Sequence, residues 1–187
     1  MPLIGDQAPE FHAMTTQGKI DFPADYKGSW VVLFSHPADF TPVCTTEFIA
    51  LSRMNETFES LNTKLIGLSI DSLHSHLGWI KSIEALNFNN EGKVKIPFPI
   101  IADISMNVAR KYGMLQTVAN TQTVRAVFII DPEGMIRTIL YYPMSTGRNI
   151  PEIIRILQSL QLNDKTHYST PANWQPGDAV VMGAPLT

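Results

Sequence analysis

Apolar residues fall along this chain in a few short dense runs, separated by stretches in which they recur every three or four positions. Trp30 to Phe34, Leu65 to Ile70 and Ala126 to Ile130 are apolar almost throughout, the pattern of strands covered on both faces of a sheet. Phe98 to Ile101 is short and contains Pro99, which predicts an edge or end position because proline gives a ladder no N–H. Ile136 to Tyr142 follows the turn sequence Asp131-Pro132-Glu133-Gly134 and is predicted to be the second arm of a hairpin.

Helical spacing fills the intervals. Leu73, Leu77, Ile80 and Ile83 form one stripe, and Ile150, Ile153, Ile154, Leu157 and Leu160 form a cleaner one. The second is announced by Asn149 with Glu152 three residues on and Pro151 in the first turn. Asp103 opens a further helix that Gly113 ends, and another runs from near Pro42 through Phe48, Leu51 and Phe58. The order strand, helix, strand, helix, strand, helix, hairpin, helix predicts an α/β fold, a mixed central sheet flanked by helices. After about Leu162 the pattern dissolves into Pro171, Pro176, Gly177, Gly183 and Pro185. Residues 1–162 are therefore expected to form one domain and 163–187 an extended C-terminal arm, too poor in apolar pattern to fold alone. An arm of that kind predicts an obligate homodimer.

Composition narrows the class. The 187 residues include 14 Lys+Arg and 17 Asp+Glu, for a formal charge of −3, so no basic excess favours nucleic acid or an anionic bilayer. No apolar run approaches the roughly 20 residues that a membrane span needs. Met1 to Asp6 shows neither a basic nor an apolar signal region. The one cysteine, Cys44, allows no internal disulfide and points to a reducing compartment, so a cytoplasmic location is expected.

A lone cysteine is by default a small buried hydrophobe. Cys44, however, sits in the first turn of the helix that follows the dense strand Trp30 to Phe34, the place where ligands collect in open α/β sheets. The thiolate is the nucleophile, and a free thiol is only about 3% ionised at pH 7. Bringing a thiol to a pKa of about 6 takes roughly 3.4 kcal/mol, of which a helix terminus supplies at most about 2. A cation must supply the rest. Arg125, at the mouth of the strand Ala126 to Ile130, is the leading candidate against the alternative of a snorkelling surface residue. Arg148 is the second. Thr41 is placed either to cap the helix or to reach the sulfur, and Pro37 to stiffen the loop or shield it from water. His74 and His76 are two apart and do not share a helix face, which predicts a solvated face rather than a metal site.

Pro37-x-x-x-Thr41-x-x-Cys44 resembles the active-site signature of peroxiredoxins, and the run Ser35 to Glu47 resembles the one-cysteine, peroxiredoxin-six-like subfamily of the AhpC/TSA family. The likeness continues through Leu68 to Ser72 with His76 and Trp79, Arg125 to Asp131, Tyr142-Pro143 and Gly147-Arg148-Asn149. The resemblance implies a thioredoxin-like fold and a thiol peroxidase. In it Cys44 would attack hydrogen peroxide or an organic hydroperoxide, giving a sulfenic acid. Thr41 and Arg125 would orient the substrate, Pro37 would limit solvent access, and His36 and Arg148 would be supporting residues. No nucleotide, flavin or metal is implied. With no second cysteine, regeneration would need an external thiol, thioredoxin-, glutaredoxin- or glutathione-like, and the family forms dimers or larger rings such as decamers. Some members resemble a phospholipase through a serine and a histidine. Ser29 is present, but no histidine lies between His12 and His36, so that activity is not carried over. Two rival classes are a cysteine hydrolase with His36, His74 or another histidine as base, and a redox sensor that switches on oxidation of Cys44.

Overall fold

A computed structural model describes residues 1–115 and 121–182. The elements in chain order are β1 (Phe11–Thr15), β2 (Gly18–Phe22), β3 (Trp30–Ser35), α1 (Pro42–Arg53), α2 (Asn55–Ser60), β4 (Thr63–Ser69) and α3 (Leu73–Ala85). There follow β5 (Ile100–Ala102), α4 (Asn107–Tyr112), β6 (Arg125–Ile130), β7 (Ile136–Tyr142), α5 (Ile150–Thr166), β8 (Tyr168–Ser169) and β9 (Val181–Met182). The chain divides into two compact units, Met1–Arg148 and Asn149–Thr187.

The first unit is a mixed seven-stranded sheet flanked by helices, in the order β2-β1-β5-β4-β3-β6-β7. β3 lies at its centre, parallel to β4 and antiparallel to β6, and every residue of β3 and β6 is buried, as the dense apolar runs predict. The β6–β7 hairpin forms as expected. Asp131 Oδ1 accepts from the N–H groups of Glu133 and Met135 (3.1 and 2.8 Å), and Gly134 takes a φ of 85°, which glycine alone adopts freely.

The structure departs from the sequence pattern at four places. The β1–β2 hairpin escapes the periodicity search because only Phe11, Thr15 and Phe22 of its ten residues are buried. It covers β5 through the Thr15–Ile101 pair, so of the edge or end position expected there the edge fails and the end holds: β5 is an interior strand and Pro99 falls just before it. The helix expected from Pro42 to Phe58 breaks at Met54 into α1 and α2. Finally, α3 buries His76, Trp79 and Ile83, while Leu77 is exposed. The predicted solvated face thus holds for His74 but fails for His76, which tertiary partners draw inward.

Other signals read as expected. Asp103 accepts from the N–H groups of Val108 (3.2 Å) and Ala109 (2.7 Å) at the start of α4, and Gly113 ends that helix in the left-handed region. Trp30, Phe34, Phe48, Trp79 and Phe128 are all core residues. Below the end of β3, Phe48 packs on Trp79 with ring centroids 4.6 Å apart, and His36 lies on Trp79 at 4.9 Å.

In the second unit, Asn149 caps α5 by accepting from the Glu152 N–H, with Pro151 in the first turn, and the helix runs on to Thr166. β8 and β9 pair antiparallel, and the Trp174 indole donates to the Asp178 carbonyl (3.2 Å). Gly183 and Pro185 of the expected arm lie outside the described residues. No described helix is long and apolar enough to cross a membrane.

Candidate active site

The site is built where β3 ends. Ser35 fastens this point to β6: its hydroxyl donates to the Val124 carbonyl (2.6 Å) and accepts from the Ala126 N–H (3.2 Å). Thr123 Oγ1 donates to the His36 carbonyl at 2.6 Å. The chain then turns through Pro37 to Phe40 into α1, with Pro42 in its first turn and Cys44 two residues on. Cys44 is fully buried, and Arg125 Nη1 donates to its sulfur at 3.3 Å.

Arg125 is a buried residue held on three sides, not a snorkelling one. Its Nε and Nη2 donate to the Met144 carbonyl at 2.9 and 2.7 Å, and Nη1 donates to Glu47 Oε2 at 2.7 Å. Arg148 forms a two-pronged pair with the same carboxylate, Nε to Oε1 at 2.9 Å and Nη2 to Oε2 at 2.7 Å, and its backbone N–H adds a third bond to Oε1 at 2.8 Å. Arg148 Nη1 donates to the carbonyls of Ser35 and Ala126, and the guanidinium lies 5.2 Å over the Phe34 ring. Arg148 therefore acts through Glu47 and does not touch the sulfur. Burial disfavours the charged form of Glu47, but Arg148 and Arg125 together outweigh it and hold the carboxyl below its usual range.

The remaining expected residues line the loop. Pro37 is buried and Thr41 half-buried. Thr41 holds the N-cap position of α1, but its hydroxyl donates to the Ala38 carbonyl at 2.9 Å, so it leaves the helix uncapped. His36 Nε2 lies 2.8 Å from Asp39 Oδ1, and its buried Nδ1 has no partner. Burial first, and the neighbouring positive charges after it, push His36 below its ordinary pKa, against the pull of Asp39. Burial would raise the carboxyl of Asp39, but hydrogen bonds from His36 and His76 hold it well below the usual range. The donor atoms of His36, Asp39 and His76 lie within 4.8 Å of one another, the one described group with the composition of a metal site.

Glu47, Asp39 and His76 carry this architecture, yet composition and spacing assign none of them a role. Glu47 stands among apolar neighbours in α1, one face turned inward, and that is its only local signal. Its arginine partners come from 78 and 101 residues away.

Residues 4–139 match the AhpC/TSA family, and residues 159–187 match the C-terminal domain of 1-Cys peroxiredoxin. A peroxiredoxin of Methanosarcina mazei is 62% identical over 187 residues, covering 99% of this chain and 85% of its own. Among solved structures, the yeast mitochondrial 1-Cys peroxiredoxin, described by its thiol resolving mechanism via glutathione/thioredoxin systems, superposes with a TM-score of 0.89 at 45% identity. That match covers 97% of this chain and 87% of the yeast one. A mutant of peroxiredoxin 6 from Arenicola marina gives 0.91 at 38% identity, over 100% and 86%. With one cysteine in the sequence and an arginine on its sulfur, the chain belongs to the peroxiredoxins of the AhpC/TSA family, in their one-cysteine branch, and is a thiol-dependent peroxidase.

Proposed function

We propose that Cys44 is the residue that reduces the peroxide, working on hydrogen peroxide and organic hydroperoxides. The observation that carries this reading is the buried Arg125 Nη1 at 3.3 Å from the Cys44 sulfur. The charge balance supports it. Arg125 and Arg148 bring two positive charges and Glu47 one negative, so the buried cluster holds one positive charge in excess. A sulfur anion neutralises it. No histidine hydrogen-bonds the sulfur among the described residues, so the hydrolase alternative lacks its base.

In the first step the sulfur anion attacks one peroxide oxygen. The S–O bond forms, the O–O bond breaks, and the departing oxygen takes both electrons of that bond and a proton to leave as water or an alcohol. Sulfur is oxidised to sulfenic acid and the peroxide is reduced. Arg125 has five N–H donors, four of them engaged by Met144, Glu47 and Cys44. The fifth can meet the oxygen on which charge develops, already fixed in place. Because the Thr41 proton is committed to Ala38, Thr41 offers the peroxide O–H an acceptor, so the two residues orient the substrate from opposite polarities. Pro37 excludes water at the loop, while His36 and Arg148 support the site from behind.

An external thiol then displaces water from the sulfenic acid to give a mixed disulfide, and a second thiol releases Cys44 reduced. A thioredoxin-, glutaredoxin- or glutathione-like reductant in the cytoplasm fits the single cysteine. We take residues 1–162 as the catalytic domain and 163–187 as an arm. A homodimer, or a ring of dimers such as a decamer, fits β7 as a seven-residue strand at the sheet edge, since unpaired edges invite pairing. Mass spectrometry after one equivalent of peroxide tests the chemistry. One oxygen should appear on Cys44 and be removed by added thiol, and Cys44→Ser should consume no peroxide. Peroxide turnover by the serine variant would overturn the assignment.

A further inference from the structure

Asp39 is the hub of a buried hydrogen-bond cluster that touches neither sulfur nor guanidinium. Its Oδ1 lies 2.8 Å from His36 Nε2 and 3.0 Å from His76 Nδ1, and its Oδ2 lies 2.8 Å from His76 Nδ1 and accepts from Ser75 Oγ at 2.7 Å. Its backbone N–H donates to Asp71 Oδ2 at 3.0 Å. Both imidazoles are fully buried.

The donors and acceptors around His76 do not match a neutral ring beside an ionised carboxylate. Its Nε2 is 3.1 Å from the Ile101 carbonyl oxygen, which only accepts, so Nε2 carries a hydrogen. Its Nδ1 faces a carboxylate, which when ionised also only accepts. A neutral imidazole has a single N–H. The contact therefore holds one hydrogen more than a neutral histidine and an ionised aspartate would bring to it. A divalent cation is the other way to join two such acceptors. Ligands about 2.0–2.1 Å from a tetrahedral ion lie about 3.3 Å apart, however, whereas Nδ1 and Oδ2 are 2.8 Å apart, a hydrogen-bond length.

The next residue shows what the cluster holds in place. Phe40 has a φ of 56°, a left-handed conformation that a bulky side chain disfavours. It is 60% exposed, so burial of its ring does not keep it there. Asp39 anchors it from one side. On the other, Thr41 Oγ1 closes back on the Ala38 carbonyl, and α1 with Cys44 follows at once.

We propose that Asp39 and His76, joined by a shared buried proton, form a clamp that holds Phe40 in its strained conformation and so sets Thr41 and Cys44 for the peroxide. His76 is then a positioning residue. This deepens the reading of Cys44 as the reacting thiol and rests on it. The clamp's proton content is independent of turnover, so nitrogen-15 NMR of the reduced wild-type chain is measured first. Together with carboxyl carbon-13 shifts, it should show one hydrogen between His76 Nδ1 and Asp39 besides the one on Nε2, in a metal-free protein. A singly protonated His76 facing an ionised Asp39, or a stoichiometric metal ion found by elemental analysis, would overturn the clamp even in an active enzyme. An inactive wild type that holds the extra hydrogen would overturn the peroxidase reading and the positioning role, leaving only the proton.

Kinetics tests the positioning. His76→Gln should lower kcat/KM for peroxide about tenfold, while reduction of preformed sulfenic acid by thiol keeps its rate. Adding Phe40→Gly, which removes the need for restraint, should bring the double variant to within about threefold of Phe40→Gly alone, a rescue that a merely structural role would not give. Ser75→Ala, which deletes one bond to Asp39, should lower the peroxide rate about threefold and serves if the glutamine variant does not fold. A wild-type peroxide rate in either variant, or no recovery in the double variant, would overturn the proposal.

Discussion

Glu47→Gln tests the charge cluster most directly, because the substitution keeps the shape and removes the charge. The carboxylate accepts four hydrogen bonds at 2.7–2.9 Å, one from Arg125 and three from Arg148, with Glu47 only 3% exposed. Glutamine offers one carbonyl oxygen and places an NH2 group against a guanidinium. Two buried positive charges then face each other with the carboxylate's charge gone. Removing one partner of a buried pair costs about 3–5 kcal/mol. At roughly 2–4 °C per kcal/mol for a chain of this size, the melting temperature should fall by on the order of 10 °C. A domain with about 5–15 kcal/mol of total stability survives that loss, so both stability and activity can be measured. Arg125 Nη1 bridges Glu47 and the Cys44 sulfur, so the rate of peroxide reduction should drop at least about tenfold as the bridge loosens. Urea unfolding and stopped-flow peroxide consumption on the same preparation are the assays. Wild-type stability together with a wild-type rate would refute the argument that Glu47 holds the arginines in place.

Arg125→Lys should lower kcat/KM for peroxide by about 10²–10³, because a single ammonium cannot serve Met144, Glu47 and the sulfur at once; a loss below threefold in steady-state assays would contradict this. Acidification should destabilise the fold. His36 is held below its ordinary 6.5 by burial, while Glu47 and Asp39 are held low by their cationic and hydrogen-bonding partners. All three therefore bind protons less readily when folded. Their stabilisation is complete above about pH 6.5 and is lost as pH falls, through His36 first and then, below about pH 4, through the carboxylates; melting curves from pH 7.5 to 4 that do not shift would contradict it. Gly67→Ala places a Cβ 3.3 Å from Phe34 Cζ and 3.4 Å from Phe48 Cζ, so chemical unfolding should show a loss of about 1–3 kcal/mol.

The parts of this protein that were legible in its sequence are those whose signal is local. β3, β4 and β6 announce themselves because both faces are buried almost throughout and polar residues are scarce in the runs. The β6–β7 turn and the cap of α5 are set by residues a few positions apart. Cys44, Thr41 and Arg125 stand out as candidates through the unbroken likeness from Ser35 to Glu47 and the arginine that opens β6. The misreadings share the opposite cause. His76 looks like part of a solvated helix face because nothing within a turn of it explains its burial; the explanation is Asp39, 37 residues earlier. The β1–β2 hairpin sends only Phe11, Thr15 and Phe22 fully into the interior, too few in ten residues to give a periodic signal. Met54, where the helix breaks, carries no proline or glycine to mark the break.

The distance in sequence between Glu47 and its two arginines has a consequence for synthesis. At a translation speed of about 5–20 residues per second, the thiol leaves the ribosome some seconds before Arg125 and Arg148 are made. During that interval it has no guanidinium beside it. The Arg125 contact to the sulfur therefore arrives only with folding of the later strands, so a half-made or unravelled copy lacks it.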